Sequence, residues 1–188
     1  MKVTPLEIKG PLLVELNCFQ DQQGFFIERF HTEKLKTLGL DIECVQINHS
    51  QSAPGVLRGL HYQFSPPQGK LIGVTRGKIW DVAVDIRPNS PTFGRSVSVE
   101  ISADNNRLLW IPPGFAHGFV VLGAEVTDVL YVVSAAYHAK SEGGIRWDDL
   151  DLSIAWPKTD RLVVSDRDQN LPSFKDYQKL NIGTEFIK

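Results

Sequence analysis

The sequence predicts an antiparallel all-β domain with short helices at its margins, and three observations lead to this prediction. Every second side chain from Trp80 to Ile86 is large and apolar, and residues 96–102 repeat the alternation. A period of two is typical of a strand with one buried face. Turn-forming residues such as those at 112–114 separate the strands, and helical periodicity is scarce. Many short strands with frequent turns indicate a sandwich, a barrel or a jelly roll.

The remaining elements follow from local patterns. Apolar or β-branched runs at 119–122 and 126–133 are typical of more deeply buried strands. A short helix capped by Thr32 is predicted to end at Gly39, because a hydroxyl satisfies the first free N–H groups and glycine tolerates the left-handed turn. A second short helix is expected after residues 172–173.

Composition and charge favour a single globular domain over residues 1–188. Hydrophobic residues make up 42% of the 188 residues and charged residues 22%, a balance that excludes an intrinsically disordered chain. The 20 Lys and Arg residues nearly balance the 22 Asp and Glu residues, so the net charge is −2. Such near-neutrality gives no reason to expect nucleic acid or an anionic membrane as a partner.

The N-terminal segment and the cysteines predict a cytoplasmic protein. Residues 1–10 lack the apolar core of a signal peptide, and no run approaches the ~20 apolar residues of a membrane span. Cys18 and Cys44 are too few for a disulfide scaffold and have no CxxC spacing. A reducing compartment is the default location of such a chain.

Polar residues gather first in residues 55–70. In an alternating strand, His61 and Gln63 project to the same face. A lone histidine at such a position is most simply a solvated residue of a surface strand. Arg58 and Lys70 lie beside two glycine-rich turns next to it, and loops beside rigid strands often carry function. These neighbours favour a functional site.

Three further polar positions lie within or beside apolar segments. His117 follows a Pro-Gly turn and enters an apolar strand, where it is either a satisfied interior histidine or a site residue. Tyr131 lies in an otherwise apolar strand and is most simply a core tyrosine whose hydroxyl reaches a partner. Residues 165–168, taken alone, predict a solvated loop.

The two histidine segments resemble the paired motifs of cupins, a superfamily of double-sheet jelly rolls. The motifs read Gly55-x5-His61 and Pro112-x-Gly114-x2-His117. In metal-binding cupins the first motif has a second histidine and a nearby Glu, whereas here the second position is Gln63 and residues 65–70 hold no acid. Because a carboxamide is a poor ligand for divalent transition metals, we expect no metal and no cofactor.

A more specific resemblance, over nearly the whole chain, is to the dTDP-4-dehydrorhamnose 3,5-epimerase family. The matching segments follow one another in order and at compatible spacing: 21–26, 46–50, 56–63, 68–70, 81–87, 90–94, 110–112, 114–119, 130–131, 144–147 and 156–157. The resemblance implies a cupin-type double-sheet jelly roll that acts as a homodimer. It also implies a dTDP-linked 4-keto-6-deoxyhexose as substrate, with dTDP-4-dehydro-L-rhamnose as the product.

The same resemblance implies three catalytic residues. His61 matches the family's base, Asp168 matches the acid that pairs with it, and Tyr131 matches the proton donor. Lys70 is a fourth catalytic candidate because its charge can stabilise the oxyanion that develops at the keto oxygen. These assignments suit proton removal next to a ketone, because an imidazole with an ordinary pKa of about 6.5 is available as a base at physiological pH.

Substrate contacts are predicted from side-chain chemistry and from the resemblance together. Arg58 suits a diphosphate because a guanidinium can contact phosphate through two hydrogen bonds, and Tyr137 matches an aromatic residue of the family that stacks on the nucleotide base. The full set is Gln23, Glu28, Gln46, Asn48, Arg58, His117, Tyr137, Glu142 and Arg167. Three positions depart from the family's usual pattern: Gln23 replaces an Arg associated with the diphosphate, Val132 replaces a Lys, and Gly143 replaces an Arg. These departures concern the choice of substrate and leave the reaction type unaffected.

Three alternatives stay open at the level of sequence. A relative in the same family that inverts only one carbon, or that uses another nucleotide, shares His61 and Asp168. A metal-dependent cupin oxygenase would bind its metal at His61 and His117. A non-catalytic sugar-binding domain would retain the scaffold without the reaction.

Overall fold

Strands dominate the part of the chain that the computed structural model describes, which is residues 1–180 and 182. The strands in this part are β1 (Lys2–Pro5), β2 (Leu12–Glu15), β3 (Cys18–Asp21), β4 (Gly24–Ile27), β5 (Gln46–Ser52), β6 (Val56–Gln63), β7 (Lys70–Arg76), β8 (Lys78–Asp85), β9 (Ser96–Ser102), β10 (Arg107–Ile111), β11 (Phe115–Leu122), β12 (Thr127–Val133), β13 (Glu142–Gly144) and β14 (Val163–Val164). The helices are α1 (Thr32–Thr37), α2 (Asp166–Gln169), α3 (Phe174–Lys179) and a 3-10 helix, Ala139–Ser141. The predicted domain of residues 1–188 also includes residues 181 and 183–188, which lie outside the described residues.

The strands form two six-stranded sheets and a separate hairpin, β3–β4. The first sheet has the order β1-β2-β10-β7-β12-β5. The second has the order β13-β6-β11-β8-β9, with β14 pairing in parallel with β6. Neighbours along the two orders pair in antiparallel fashion. The predicted cupin-type double-sheet jelly roll with short flanking helices is confirmed.

The main core lies between the two sheets, because alternate side chains of each strand point inwards. The inward apolar residues from both sheets include Ile72, Val74, Ile79, Ala83, Ile101, Leu109, Ile111, Phe115, Phe119, Val121 and Val129. Two smaller clusters cover the outer faces. Leu35 of α1 packs on the first sheet, and Phe174 and Tyr177 of α3 pack on the second.

Strand β8 is buried on both faces, which corrects the prediction of a half-buried strand. Val82 and Val84 pack in the outer cluster beneath α3. Asp81 and Asp85 lie on the opposite face and are also 0% exposed. The C-terminal part of the chain covers one face and the first sheet covers the other, and neither covering layer is visible in the local pattern of the strand.

Helices α1 and α3 lie where the sequence predicts them, but the cap of α1 differs. His31 is the N-cap residue in place of Thr32, and its Nδ1 accepts a hydrogen bond from the Lys34 N–H at 3.4 Å. The chain then turns at Gly39, whose φ of 85° is in the left-handed region. The Ser173 hydroxyl caps α3. No helix in residues 1–180 and 182 has the length and apolar character needed to cross a membrane.

Asp85 anchors the connection between β8 and β9. Its Oδ2 accepts hydrogen bonds from Arg87 at 2.7 Å, Ser90 at 2.5 Å and Thr92 at 2.6 Å. Burial acts to raise the pKa of Asp85, but these hydrogen bonds outweigh it, and the pKa lies below its ordinary value. The carboxylate therefore stabilises the folded chain only while it stays ionised.

We expect Asp85→Asn to lower the free energy of unfolding by about 3 kcal/mol at pH 7, because it leaves the Arg87 guanidinium without its charge partner. Because the pKa of Asp85 is lower in the folded protein than in the unfolded chain, its carboxylate stabilises the fold at pH values above the ordinary pKa of an aspartate. This stabilisation is lost as the pH falls through the pKa of Asp85 in the folded protein. The difference between the two proteins should therefore be smaller at pH 3 than at pH 7. Urea unfolding at both pH values measures it, and an equal difference would contradict this account.

Candidate active site

A cavity of about 280 Å³ opens between the two sheets. Its lining residues are Asn48, Ser50, Arg58, His61, Gln68, Lys70, His117, Phe119, Tyr131, Val133, Tyr137 and Glu142. The strand faces that pack in the main core also form the walls of the cavity. Lys70 is two positions from Ile72 on β7, and Tyr131 is two positions from Val129 on β12. Since side chains alternate with period two, these polar groups face inwards like their apolar neighbours.

His61 and Asp168 form a hydrogen-bonded pair at one wall of the cavity. Asp168 Oδ1 lies 2.8 Å from His61 Nε2, and the Gly59 N–H donates to Asp168 Oδ2 at 3.1 Å. Burial acts to raise the pKa of Asp168, but the two hydrogen bonds lower it overall. Asp168 is therefore a carboxylate at neutral pH. Because a carboxylate only accepts hydrogen bonds, Nε2 of a neutral His61 carries the proton and Nδ1 keeps the lone pair.

Asp168 lies in α2, a single helical turn, which corrects the prediction of a solvated loop at 165–168. The Ser165 hydroxyl caps α2 by accepting a hydrogen bond from the Asp168 N–H at 3.1 Å, and Asp168 is only 3% exposed. The preceding strand β14 pairs with β6, which carries His61. The loop prediction was wrong because the partner histidine lies 107 positions away along the chain.

Two glycines bring the strands of the two histidines close together. Gly59 has a φ of 115°, and a Cβ atom there would lie 2.6 Å from both Gly118 Cα and the His117 carbonyl oxygen. The register between β6 and β11 shifts between His117 and Phe119, as at a β-bulge, and His61 pairs directly with His117. A side chain at position 59 would push the strands apart.

His117 and Asp81 form a second pair deeper in the cavity wall. His117 Nε2 lies 2.7 Å from Asp81 Oδ1, and the two side chains are 5% and 0% exposed. Burial is the main cause that lowers the pKa of His117 below its ordinary value, although Asp81 opposes it. The imidazole is therefore neutral at physiological pH. Asp81 Oδ2 has no hydrogen-bond partner among the described residues.

Lys70 places an amine beside the two pairs. Its Nζ donates to the carbonyl oxygen of His61 at 3.4 Å. Burial lowers the pKa of Lys70 to about 8, against the opposing attraction of Glu142 and Asp81. The ammonium form therefore predominates at pH 7, where it can stabilise negative charge that develops in the cavity.

Tyr131 lies on the wall opposite His61, because β12 belongs to the first sheet and β6 to the second. Its hydroxyl lies 2.9 Å from the Ser50 hydroxyl, and its ring meets the His117 ring edge-on with centroids 6.4 Å apart. Burial raises the pKa of Tyr131 to about 12, so the phenol keeps its proton at physiological pH. The cavity thus has a base on one wall and a proton donor on the other.

The rim of the cavity holds a network around Glu142. Its Oε2 accepts hydrogen bonds from the Tyr137 hydroxyl at 3.0 Å and from Arg167 at 2.6 Å. Burial acts to raise the pKa of Glu142, but these partners lower it overall. Glu142 is therefore charged, and it holds Tyr137 and Arg167 in place at the entrance.

The remaining predicted contacts also lie at or beside this rim. Gln46 accepts a hydrogen bond from the Tyr137 N–H at 3.1 Å and donates one to Asn48 at 2.6 Å. Arg58 Nε donates to the Ser52 hydroxyl at 3.0 Å, which leaves other N–H groups of the guanidinium for an anion. The structure therefore brings these three predicted residues together with the catalytic candidates.

Gln23 and Glu28 are the two predicted substrate contacts that lie elsewhere. The Gln23 N–H donates to Asp21 at 2.8 Å in the turn of the β3–β4 hairpin. Glu28 pairs with Lys34 at 2.7 Å beside a separate groove of about 500 Å³. Neither is among the described residues that line the cavity of their own chain.

Gln63 occupies the position of a cupin metal ligand, but the backbone engages its side chain. Its amide nitrogen donates to the carbonyl oxygens of Pro66 at 2.9 Å and Ala136 at 3.1 Å, and its oxygen accepts from the His138 N–H at 2.8 Å. The side chain therefore ties neighbouring loops together. Within residues 1–180 and 182, no group of three or more His, Cys, Asp or Glu residues is placed to hold a metal ion.

Asp81 and Ser50 belong to the site, although the sequence assigned neither of them a role. Asp81 lies on the inward face of β8 between two buried apolar residues, Ile79 and Ala83. An acidic residue at such a position indicates that a partner lies nearby, because a buried carboxylate needs a hydrogen-bond or charge partner. Ser50 belongs to a polar stripe on β5, where every second residue from Gln46 to Ser52 is polar.

Comparison with known proteins identifies the family. The family model described as dTDP-4-dehydrorhamnose 3,5-epimerase matches residues 5–176. The dTDP-4-dehydrorhamnose 3,5-epimerase of Shigella flexneri is 47% identical over 178 residues, which are 94% of this chain and 97% of that protein. The crystal structure of dTDP-6-deoxy-D-glucose-3,5-epimerase from Legionella pneumophila Philadelphia 1, in complex with dTDP-4-keto-L-rhamnose, has a TM-score of 0.89 and 42% identity, and the match covers 93% of both chains.

A relative with a narrower reaction has the same fold. The 3'-monoepimerase ChmJ of Streptomyces bikiniensis, in complex with dTDP-quinovose, has a TM-score of 0.88 and 34% identity, and the match covers 97% of this chain and 91% of that one. Fold alone therefore does not separate one inversion from two. The predicted resemblance and the predicted enzyme class, an isomerase, are confirmed, and the chain belongs to the dTDP-4-dehydrorhamnose 3,5-epimerase family.

Proposed function

We propose that this chain inverts carbons 3 and 5 of dTDP-4-dehydro-6-deoxy-D-glucose and so forms dTDP-4-dehydro-L-rhamnose, a step in dTDP-L-rhamnose biosynthesis. The observation that carries the proposal is the placement of the His61–Asp168 pair and the protonated Tyr131 on opposite walls of one cavity. Inversion next to a ketone needs a base on one face of the carbon and an acid on the other.

The reaction begins with proton removal by His61. Nδ1 takes the proton from the carbon next to the 4-keto group, and the electron pair of the C–H bond moves to the carbonyl oxygen to form an enolate. Asp168 stabilises the imidazolium that results and keeps Nε2 protonated. Tyr131 then gives its proton to the opposite face of the carbon, which inverts the centre, and the electron pair of the enolate returns to form the new C–H bond.

One group is assigned to the enolate oxygen, the Lys70 ammonium, which supplies positive charge. The neutral His117 donates its Nε2–H to Asp81, so it has no N–H left for this oxygen and lines the cavity beside Lys70. A preorganised charge of this kind lowers the barrier because it needs no rearrangement when the negative charge develops.

The nucleotide is assigned to the rim. Arg58 is exposed at the entrance, and a guanidinium recognises a diphosphate through paired hydrogen bonds. Tyr137 is 55% exposed and offers a face for stacking on the thymine base. Gln46, Asn48 and the Glu142–Arg167 pair complete this entrance with hydrogen-bonding groups.

Proton NMR of the reaction in deuterated water tests the proposed function. With dTDP-4-dehydro-6-deoxy-D-glucose as the substrate, deuterium at both carbon 3 and carbon 5 is expected, together with conversion to the L-rhamno configuration. Deuterium at one carbon only would favour a mono-epimerase, the alternative that the similarity to the 3'-monoepimerase supports. Nucleotide-sugar binding without exchange would favour a non-catalytic sugar-binding domain.

Lys70 should set the alkaline limb of the pH profile. The kcat/KM of an enzyme reports the pKa values of its free form. Because the useful form of Lys70 is the cation and its pKa is about 8, we expect kcat/KM to fall as the pH rises above 8. In Lys70→Arg the cation persists, so the limb should move to higher pH even if the maximal rate is lower. A limb that stays near pH 8 in this variant would assign it to another group.

We also propose a homodimer in which the β3–β4 hairpin of each chain reaches the cavity of its partner. Phe19, Phe25 and Phe26 on this hairpin are 62%, 68% and 67% exposed, an apolar surface that points to an interface. The family resemblance makes Gln23 and Glu28 substrate contacts, yet they lie away from the cavity of their own chain. A hairpin that crosses to the partner accounts for both observations.

Mixed dimers test this arrangement. His61→Ala and Glu28→Arg chains, each with a different affinity tag, are co-expressed, and the mixed dimer is isolated. If the hairpin crosses, one cavity carries both defects and the other carries none, so activity is regained above that of either variant alone. No regain in the isolated mixed dimer, or a monomer by light scattering, would refute the proposal.

A cytoplasmic location is proposed as well, since free thiols such as those of Cys18 and Cys44 stay reduced there.

A further inference from the structure

We propose that Ser50 is a positioning residue that aims the Tyr131 proton into the cavity and stabilises the tyrosinate left after proton transfer. This inference rests on the proposed function, because it concerns the proton donor of that reaction. It starts from the 2.9 Å hydrogen bond between the Ser50 and Tyr131 hydroxyls, in which either oxygen can be the donor.

The strand pairing places Ser50 where it can act on the phenol. In the register of β5 and β12, Asn48 pairs with Tyr131 and Ser50 pairs with Val129, so Ser50 is the diagonal neighbour of Tyr131. Both side chains line the cavity. The contact therefore lies inside the site.

The remaining members of the same stripe show that the inward face of β5 serves the site. Gln46 and Asn48 hydrogen-bond to each other at the rim, and Ser52 accepts a hydrogen bond from Arg58. On the opposite face of the strand, Ile47 is 62% exposed and the His49 side chain is 57% exposed. Ser50 is thus the member of the stripe that contacts the proton donor.

The hydroxyl pair has two arrangements with different consequences. When Tyr131 donates to Ser50, the phenol proton is engaged and is not available to the substrate. When Ser50 donates to Tyr131, the phenol proton is free to turn towards the cavity, and only this arrangement allows delivery to carbon. After delivery the electron pair of the O–H bond stays on Tyr131 Oη, and the same Ser50 O–H donates to this anion.

Loss of the Ser50 hydroxyl should therefore slow the reprotonation step selectively. The tyrosinate would form in a partly buried position without a donor, which costs more than it would in water. A hydrogen bond to a charged group corresponds to about a 10- to 100-fold effect on rate. Proton removal by His61 does not involve Ser50, so exchange with solvent should persist while inversion slows.

Two variants of nearly equal shape distinguish the effect of the hydroxyl at position 50 from the effect of side-chain packing. Ser50→Thr keeps the hydroxyl and Ser50→Val removes it, and both β-branched side chains suit a strand. The ratio of inversion to deuterium incorporation, measured by proton NMR, should stay near that of the wild type in Ser50→Thr and fall about 10- to 100-fold in Ser50→Val. Ser98→Ala, a change on β9 outside the cavity lining, is the control and should leave the ratio unchanged.

A spectroscopic titration of Tyr131 tests the role of Ser50 without substrate, and therefore independently of the proposed function. The ultraviolet absorbance of tyrosinate, taken as the difference from the Tyr131→Phe protein, follows the ionisation of Tyr131 without substrate. Its midpoint should rise in Ser50→Val and stay close to the wild type in Ser50→Thr. Equal midpoints and equal ratios in both variants would overturn the role of Ser50. A wild-type protein that exchanges no protons would instead overturn the proposed function, whatever the titration shows.

Discussion

Replacement of His61 by alanine is expected to abolish proton exchange at both carbons of the substrate while leaving dTDP binding measurable. Nδ1 of His61 carries the lone pair that accepts the proton, and Asp168, which hydrogen-bonds to Nε2, is not among the described residues that line the cavity. Removal of a general base that is held by a carboxylate lowers kcat by about 10³-fold or more. Proton NMR in deuterated water measures the exchange, and calorimetry measures dTDP binding.

Binding should survive because the nucleotide and the reacting carbon use different parts of the cavity. Arg58 and Tyr137 lie at the rim and keep their own hydrogen bonds when the imidazole is removed. His49→Ala is the matched control, since this histidine lies on the outer face of β5 and contacts Asp128 at 3.2 Å. Normal exchange in His61→Ala, or an equal loss in His49→Ala, would remove His61 as the base.

Tyr131→Phe is expected to block inversion while exchange at one carbon persists. The substitution removes one oxygen from a partly buried side chain and leaves the ring, so its packing against His117 is retained. His61 still removes the proton, and in the absence of a donor on the opposite wall the same base returns a solvent-derived proton to the original face. Inversion should fall by about 10²- to 10³-fold with a smaller effect on exchange.

The measurement follows deuterium incorporation and product configuration in the same sample. Tyr177→Phe is a suitable control, because this phenol donates to the carbonyl oxygen of Ile86 in the outer cluster. It should reduce stability and leave the ratio of inversion to exchange unchanged. Full epimerisation by Tyr131→Phe would mean that the proton donor lies elsewhere.

Much of the framework could be predicted from the sequence because its rules are local. The alternation of Leu60 and Tyr62 with His61 and Gln63 places two residues in the outer cluster and two on the inner face, as observed. Ser173 caps α3 because the residues that need its hydroxyl follow it directly. The cap of α1 at His31 was missed, since an imidazole nitrogen can replace the expected Thr32 hydroxyl.

Residues assigned to the site through the family resemblance fall into two groups in the structure. His61, Lys70, His117 and Tyr131 meet at one cavity because the facing strands of the two sheets carry them, and the rim residues surround its entrance. Gln23 and Glu28 do not join them, because the β3–β4 hairpin forms its own two-stranded sheet.

The sequence by itself determined which side chains point inwards, because a strand alternates its side chains with a period set by bond geometry. It also determined the family, through motifs in a fixed order. Only the tertiary structure decided which of those inward groups meet. Asp168 reaches His61 across 107 positions, and Asp81 reaches His117 across 36. Such contacts depend on the pairing and register of distant strands, and burial then makes a partner necessary for every charge the chain encloses.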